Sequence, residues 1–113
     1  MKRFCLALDL KNDPELIAAY ERMHAPGAGW PSARQNDLTA GVLDLQIYRT
    51  GTRMVMILET DDDFTFEKKA ALDATNPKVG EWETLMWTYQ QPLPGAGKGV
   101  KWVLMDQIFQ FEQ

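Results

Sequence analysis

The chain has 113 residues, of which 45% are hydrophobic and 25% charged, and this size and balance predict one globular domain over residues 1–113. Its formal net charge of −4 argues against nucleic-acid binding and against binding to an anionic membrane surface, because both need a basic face. A single cysteine, Cys5, excludes an intramolecular disulfide. Since Asp9 interrupts the first apolar run, we expect no signal peptide, and we expect a soluble cytoplasmic protein in a reducing compartment.

The first elements predicted along the chain are a strand and a helix. Residues 3–10 have the composition of a strand. Asp13 is a suitable N-cap and Pro14 a suitable first residue for a helix that runs to His24. At 100° per residue, the apolar residues of this helix and His24 share an arc of about 120°. The members of this arc are Leu16, Ile17, Tyr20, Met23 and His24.

The next segment predicts a short helix and a hairpin. Residues 32–39 are compatible with a short helix that ends at Gly41. Two strands between residues 42 and 61 then meet at a tight turn, Thr50-Gly51-Thr52. In the first of these strands, Leu43, Leu45 and Ile47 alternate with Asp44, Gln46 and Tyr48. This alternation predicts one apolar and one polar face.

Two helices and a final strand are predicted in the second half. The helix over residues 61–75 has an acidic start, and Asn76-Pro77 separates it from a helix over residues 78–91. A loop rich in proline and glycine continues to Gly99, and residues 101–113 predict the last strand.

The order β-α-β-β-α-β with an extra helix is that of an α+β, ferredoxin-like fold. Such a fold has a four-stranded antiparallel sheet with helices on one face. The other face also carries apolar and aromatic residues in this chain. We therefore expect a homodimer, or an internal pocket, at that face.

Several kinds of chemistry have little support in the sequence. One histidine and one cysteine, without a carboxylate–histidine spacing, do not suggest a metal site. No glycine-rich loop has the spacing of a nucleotide-binding motif, so we expect no cofactor. Cys5 lies in a predicted strand and is better explained as a core residue than as a nucleophile.

An acid–base pocket is the remaining hypothesis. His24 and Tyr20 lie one turn apart on one helix face, and Trp82 and Glu83 lie on an aromatic helix. Tryptophan faces suit the C–H side of a sugar, and Trp30 is a further candidate. The simpler alternatives are that His24 only interacts with a helix end and that Trp82 only fills the core.

Tyr20, Arg22 and His24 are followed by Trp30-Pro31, and this arrangement resembles the Y-x-R-x-H-x-x-x-W-P signature of the L-rhamnose mutarotase family. The resemblance extends over nearly the whole chain. Further matching positions are Pro26, Ile47, Tyr48, Glu59, Trp82, Met86 and the final strand.

The resemblance implies a dimeric ferredoxin-like α/β barrel that interconverts the α and β anomers of a sugar without a cofactor. It implies that His24 is the proton donor and that Tyr20 contacts the sugar. Three departures concern the sugar. The spacer before Trp30 is longer than in the signature, Leu45 replaces a tyrosine, and Trp82-Glu83 replaces a Trp-Trp pair. The resemblance therefore implies a 6-deoxyhexose substrate, with L-fucose as a competitor to L-rhamnose.

Anomer exchange needs a proton delivered to the ring oxygen and another removed from the anomeric hydroxyl. A histidine can supply the first near neutral pH. Glu83, Glu59 and Asp44 are candidates for the base, and we expect them to bind the sugar together with Trp30, Tyr48 and Trp82. The alternatives are a cofactor-free monooxygenase-like enzyme on the same fold, or a non-catalytic domain that binds a small ligand.

Overall fold

The computed structural model describes residues 1–97 and 99–111, and it contains five strands and four helices. In chain order they are β1 (Lys2–Leu10), α1 (Pro14–Met23), α2 (Pro31–Ala40), β2 (Val42–Thr50), β3 (Arg53–Thr60), α3 (Phe66–Ala74), α4 (Pro77–Trp87), β4 (Gln90–Gln91) and β5 (Val103–Leu104). This order confirms the predicted α+β plan with its additional helix. None of the helices in the described part of the chain has the length and apolar character needed to cross a membrane.

Proline and side-chain caps define the helix starts. Helices α1, α2 and α4 begin with proline, whose fixed φ suits the first helical position. The Asp13 carboxylate accepts a hydrogen bond from the backbone N–H of Glu15 at 2.9 Å. Helix α3 begins later than the acidic run predicted, at Phe66, because the Thr65 hydroxyl caps it.

The sheet is antiparallel and has the strand order β2-β3-β1-β4, and β5 also pairs with β1. The hairpin of β2 and β3 turns at Gly51-Thr52, as predicted, and Gly51 has a positive φ of 58°. Strand β2 contains a bulge, where Leu43 lies between the paired residues Val42 and Asp44. Leu43 is 61% exposed for this reason, so the predicted apolar alternation begins only at Leu45.

One face of the sheet packs against the helices and forms the core. Every second directly opposite pair of β1 and β3 points to this face. Leu8 and Met54 are one such pair, and both are almost completely buried. The core has two clusters. The first is centred on Leu8, Leu10, Tyr20, Met54 and Met86, and the second on Leu6, Val42, Leu58 and Phe64. Trp102 packs against both clusters and joins them.

The opposite, helix-free face carries the alternate residues of the strands. Asp9 and Arg53 pair across β1 and β3 there, with 2.5 Å between the Asp9 Oδ1 and Arg53 Nε atoms. Cys5 and Ile57 form another directly opposite pair on this face. The helix-free face is therefore mixed, with apolar side chains between ion pairs.

The region after α4 differs from the sequence prediction. The helix ends at Trp87, and Gln90–Gln91 instead extends the sheet beside β1. The predicted strand over residues 101–113 is wrong in extent, because only Val103–Leu104 pairs as a strand. The backbone N–H of Met105 still donates to the carbonyl of Cys5 at 2.8 Å, whereas residues 106–111 form no strand. Residues 112–113 lie outside the described residues.

Candidate active site

A cavity of about 530 Å³ lies between the helices and the helix-facing side of the sheet. His24 and Tyr20 line it from α1, Trp82 and Glu83 from α4, and Trp30 from the start of α2. A smaller cleft of about 390 Å³ lies at the β2 edge and shares Tyr20, His24 and Ile47 with it. The two spaces therefore meet at the one histidine of the chain.

The end of α1 fixes the orientation of the His24 ring. His24 is the C-cap residue, and its Nδ1 atom lies 2.8 Å from the backbone carbonyl oxygen of Tyr20. A carbonyl can only accept, so Nδ1 carries the hydrogen, and Nε2 is the atom that can take up or release a proton. The His24 ring also packs on the Tyr20 ring, with centroids 4.2 Å apart.

Tyr20 is buried between His24 and β4. Its hydroxyl accepts a hydrogen bond from Nε2 of Gln90 at 3.2 Å. Burial raises the pKa of Tyr20; the hydrogen bond from Gln90 lowers it, and the nearby Glu83 charge raises it further. Because the net effect is a raised pKa, Tyr20 is a hydrogen-bonding phenol near neutral pH and not a base.

Two tryptophans form an aromatic wall beside the histidine. The rings of His24 and Trp82 have centroids 5.8 Å apart, and those of Trp82 and Trp30 are 5.4 Å apart. Trp30 reaches this position because the segment after α1 returns the chain to the cavity and α2 begins at Pro31. The wall offers the flat apolar surface that the C–H face of a sugar requires.

Glu83 is the carboxylate that the sequence analysis predicted and that the cavity contains. It lies one residue after Trp82, and its Oε2 atom is 2.5 Å from Nζ of Lys101. Lys101 also donates to the backbone carbonyl of Glu83 at 3.2 Å, and its Nζ atom lies 4.7 Å from the centre of the Trp87 ring. The loop before β5 thus holds the Glu83 side chain in place.

A charged cluster at the cavity was not predicted. Lys69 of α3 lies 2.6 Å from Asp73 on the same helix and 3.2 Å from Asp37 of α2. Burial raises the pKa of Asp37, although the Lys69 charge opposes this shift. The buried Asn36 donates to Asp73 at 3.0 Å. The i,i+4 spacing of Lys69 and Asp73 is visible in the sequence, but the approach of Asp37 depends on helix packing.

The structure does not bring every sequence-predicted site residue to the cavity. Asp44 and Glu59 are directly paired on the helix-free face, and Glu59 is 3.5 Å from Arg3. Tyr48 is exposed, donates to Gln46 at 3.1 Å and borders the smaller cleft but not the main cavity. The polar residues of β2 therefore face away from the main cavity.

Within residues 1–97 and 99–111, no three histidine, cysteine, aspartate or glutamate side chains come together as a metal site would require. The carboxylates of the cavity are instead bound to lysines, Glu83 to Lys101 and Asp37 to Lys69.

Comparison with known proteins places this sequence in a family. The model of the family described as rhaM, L-rhamnose mutarotase, matches residues 3–111. An L-fucose mutarotase from Xanthomonas campestris pv. campestris is 43% identical over 109 residues, which cover 96% of this chain and 87% of the relative. A UPF0734 protein from Dictyostelium discoideum is 31% identical over 118 residues, covering 98% and 90%.

Solved structures give the same fold. The crystal structure of an L-rhamnose mutarotase from Formosa agariphila superposes with a TM-score of 0.68 at 17% identity, over 99% of this chain and 100% of that one. The tetracenomycin F2 cyclase of Streptomyces glaucescens, a type-II polyketide cyclase, has a TM-score of 0.64 at 16% identity, over 100% and 99%. At these identities the likeness concerns the fold alone, and it confirms the predicted ferredoxin-like architecture. Because the family model covers almost all of the sequence, the chain belongs to the L-rhamnose mutarotase family of carbohydrate isomerases, as its sequence signature predicts.

Proposed function

We propose that this protein interconverts the α and β anomers of L-fucose, a 6-deoxyhexose, in deoxysugar catabolism. The observation that carries the proposal is the ring of His24, oriented by the Tyr20 carbonyl and set against the Trp82 wall of a sugar-sized cavity. Family membership supports the mutarotase reaction, and the 43% identity to an L-fucose mutarotase supports the choice of sugar. A monooxygenase-like activity is not favoured.

The reaction needs acid–base groups and no covalent intermediate. Protonation of the ring oxygen and removal of the anomeric hydroxyl proton open the hemiacetal to the aldehyde. Rotation about the bond to the aldehyde carbon, followed by closure with the protons moving in reverse, gives the other anomer. The same two groups serve both directions, so each must be able to give and retake a proton.

His24 is suited to the ring oxygen. Its Nδ1 hydrogen is held by the Tyr20 carbonyl, so the proton exchanged with the sugar is the one on Nε2. The Tyr20 hydroxyl is a neutral phenol that positions the sugar by hydrogen bonding. Trp30 and Trp82 pack on the C–H face of the ring.

Glu83 is the preferred partner for the anomeric hydroxyl among the three carboxylates named from the sequence. It lines the cavity and lies close enough to raise the pKa of Tyr20, whereas Asp44 and Glu59 are on the helix-free face. Asp37 also lines the cavity, but unlike Glu83 it is not among the charges that shift the pKa of Tyr20. Asp37 and Lys69 are therefore assigned to hydroxyl binding and not to proton transfer.

The protein acts as a homodimer in this proposal. The segment 105–111 exposes large apolar side chains, with Ile108 95% and Phe109 75% exposed, and Phe111 is exposed as well. The apolar residues of the helix-free face, Cys5 and Ile57 among them, also have no helix over them. A second copy that covers both surfaces removes this apolar area from water and closes the two open sheets into a barrel. The free thiol of Cys5 agrees with a reducing, cytoplasmic location.

The experiment that tests the activity is saturation-transfer NMR on anomeric protons, with L-fucose, L-rhamnose and common aldoses as separate substrates. The expected result is protein-dependent exchange for L-fucose that exceeds the exchange of L-rhamnose. Greater exchange of L-rhamnose contradicts the assigned sugar. Exchange at the buffer rate for every sugar contradicts the activity and favours a non-catalytic binding domain.

A further inference from the structure

The side chain of Gln90 is buried and only half hydrogen-bonded. Gln90 begins β4, is 3% exposed and lines the main cavity. Its Nε2 atom donates to the Tyr20 hydroxyl, but its Oε1 atom has no hydrogen-bond partner among the described residues. A buried acceptor without a partner destabilises a folded protein, and native proteins leave few of them.

The orientation of the amide does not alter this conclusion. With the amide turned over, Tyr20 donates to Oε1, and Nε2 becomes the atom without a partner. Either orientation leaves one polar end of this buried, cavity-lining side chain unpaired. A sugar hydroxyl can satisfy both cases, because it donates to an oxygen and accepts from an N–H group.

Tyr20 connects this atom to the histidine. Its ring packs on His24 at 4.2 Å, and its hydroxyl contacts Gln90 at 3.2 Å. Gln90 thus lies at the hydroxyl end of Tyr20, beyond the ring that His24 contacts. A pyranose with its ring oxygen at His24 can therefore place a ring hydroxyl near Gln90.

We propose that Gln90 is a specificity-determining residue whose unpaired amide end hydrogen-bonds one ring hydroxyl of the sugar. This inference rests on the proposed mutarotase function and adds a residue to it. Tyr20 and Gln90 form one polar unit, in which the phenol holds the amide in position and the amide selects the hydroxyl. A sugar that lacks this hydroxyl, or carries it in the other configuration, leaves the buried amide unpaired and is rejected.

The test combines a protein variant with modified sugars. Gln90→Met has a similar volume but no polar end, and Gln91→Met at the exposed neighbouring position is the control. Exchange is measured for L-fucose and for its 2-, 3- and 4-deoxy analogues with each protein. One deoxy analogue is expected to lose about 5- to 100-fold in exchange efficiency with the wild type and with Gln91→Met. The same analogue is expected to lose less than about twofold with Gln90→Met, because the partner of the missing hydroxyl is already absent.

Equal losses in wild type and Gln90→Met for all three analogues overturn the inference, while wild-type exchange of L-fucose leaves the mutarotase function intact. If the wild type exchanges no sugar, the same cycle is measured as binding of L-fucose and its analogues, and absence of binding overturns both proposals.

The unfolding midpoint distinguishes a role of Gln90 in sugar specificity from a merely structural role. Gln90→Met is expected to unfold near the wild-type temperature, because removal of the unpaired end offsets the lost bond to Tyr20. If Gln90→Met does not fold, Gln90→Asn withdraws the amide by one methylene and serves in the same cycle.

Discussion

The Nδ1 atom of His24 donates to the backbone carbonyl of Tyr20, 2.8 Å away and one helical turn earlier. This bond satisfies a carbonyl in the last turn of α1, where the helix provides no further N–H groups. It also leaves Nε2 as the histidine nitrogen that is available for proton transfer. The role of a helix cap and the role of a proton donor, which were alternatives in the sequence, are compatible in the structure.

The first prediction concerns proton transfer by His24. The variant His24→Gln keeps a side-chain N–H donor for the Tyr20 carbonyl, but its amide cannot exchange a proton with the sugar. Because acid–base groups contribute about 10²–10⁴-fold, anomer exchange is expected to fall by that factor. Saturation-transfer NMR measures the rate, and circular dichroism checks that the variant is folded. A rate per folded molecule equal to that of the wild type would leave His24 as a helix cap alone.

The second prediction concerns Glu83 as the partner base. Glu83→Gln is expected to lower exchange by about 10²-fold, since the amide cannot accept the anomeric proton. The matched control is Glu81→Gln on the same helix, which removes only an exposed ion pair to Lys78. Equal rates for the two variants would transfer the base role away from Glu83, and Asp37→Asn would then be the variant to measure.

The third prediction follows from the raised pKa of Tyr20. Burial is the main cause, so the folded protein ionises this phenol at higher pH than the unfolded chain does. The neutral Tyr20 phenol therefore contributes its full share of stability below the ordinary pKa of 10.0. This contribution is lost as the pH rises from there through the pKa of the folded state. The difference in unfolding free energy between wild type and Tyr20→Phe should therefore be constant up to about pH 9 and then fall. Urea titrations between pH 7 and pH 11 measure it. A constant difference across the whole range would contradict the burial argument.

The fourth prediction uses two glycines. Gly41 ends α2 with φ of 103°, and an added Cβ would lie 2.6 Å from the Asp61 carboxylate. Gly41→Ala should lower the free energy of unfolding by about 1–3 kcal/mol. Gly80 lies inside α4 with open space around it, and Gly80→Ala should raise that energy by about 0.5–1 kcal/mol. Denaturant unfolding measures both, and a stabilising Gly41→Ala would contradict the described C-cap.

The fifth prediction concerns the dimer. The wild type should sediment as a dimer at micromolar concentration, and the double variant Ile108→Ser, Phe109→Ser should shift it towards monomer, because two large exposed apolar side chains are removed. Leu38→Ser, at an exposed position of α2, is a control for the loss of an apolar side chain elsewhere. A monomeric wild type would leave the segment 105–111 without its assigned partner.

Much of the fold follows from local patterns in the sequence. Asp13-Pro14 predicted the start of α1, and the glycine turn at Gly51 predicted the hairpin. The predicted extent of the final strand is wrong because residues 101–113 have the pattern of a strand, whereas strand pairing depends on which segment lies beside them. Only Val103–Leu104 finds β1 as a neighbour within the described chain. Strand β4 was missed since Gln90 continues the helical pattern, and its pairing with Leu10 is a tertiary contact.

The candidate site was predictable where its residues share one helix or one family signature. Tyr20 and His24 are of this kind, and their contact follows from i,i+4 spacing. The sequence does not rank the candidate carboxylates, because it shows alternation along β2 but not which face of the strand meets the helices. Lys101 and Gln90 reach the cavity from distant segments, so no local pattern identifies them.

The bulge at Leu43 has a consequence for how copies of the chain can associate. Strand β2 is at the edge of the sheet, where unpaired backbone groups form a template on which further strands can add without limit. The bulge interrupts the regular spacing of those groups, and Asp44 and Arg49 add charge along the same edge. Side-by-side growth into fibrils is thereby opposed. Face-to-face pairing does not use this edge. Because such pairing would bury the helix-free face of both copies in a single step, it would end at two copies.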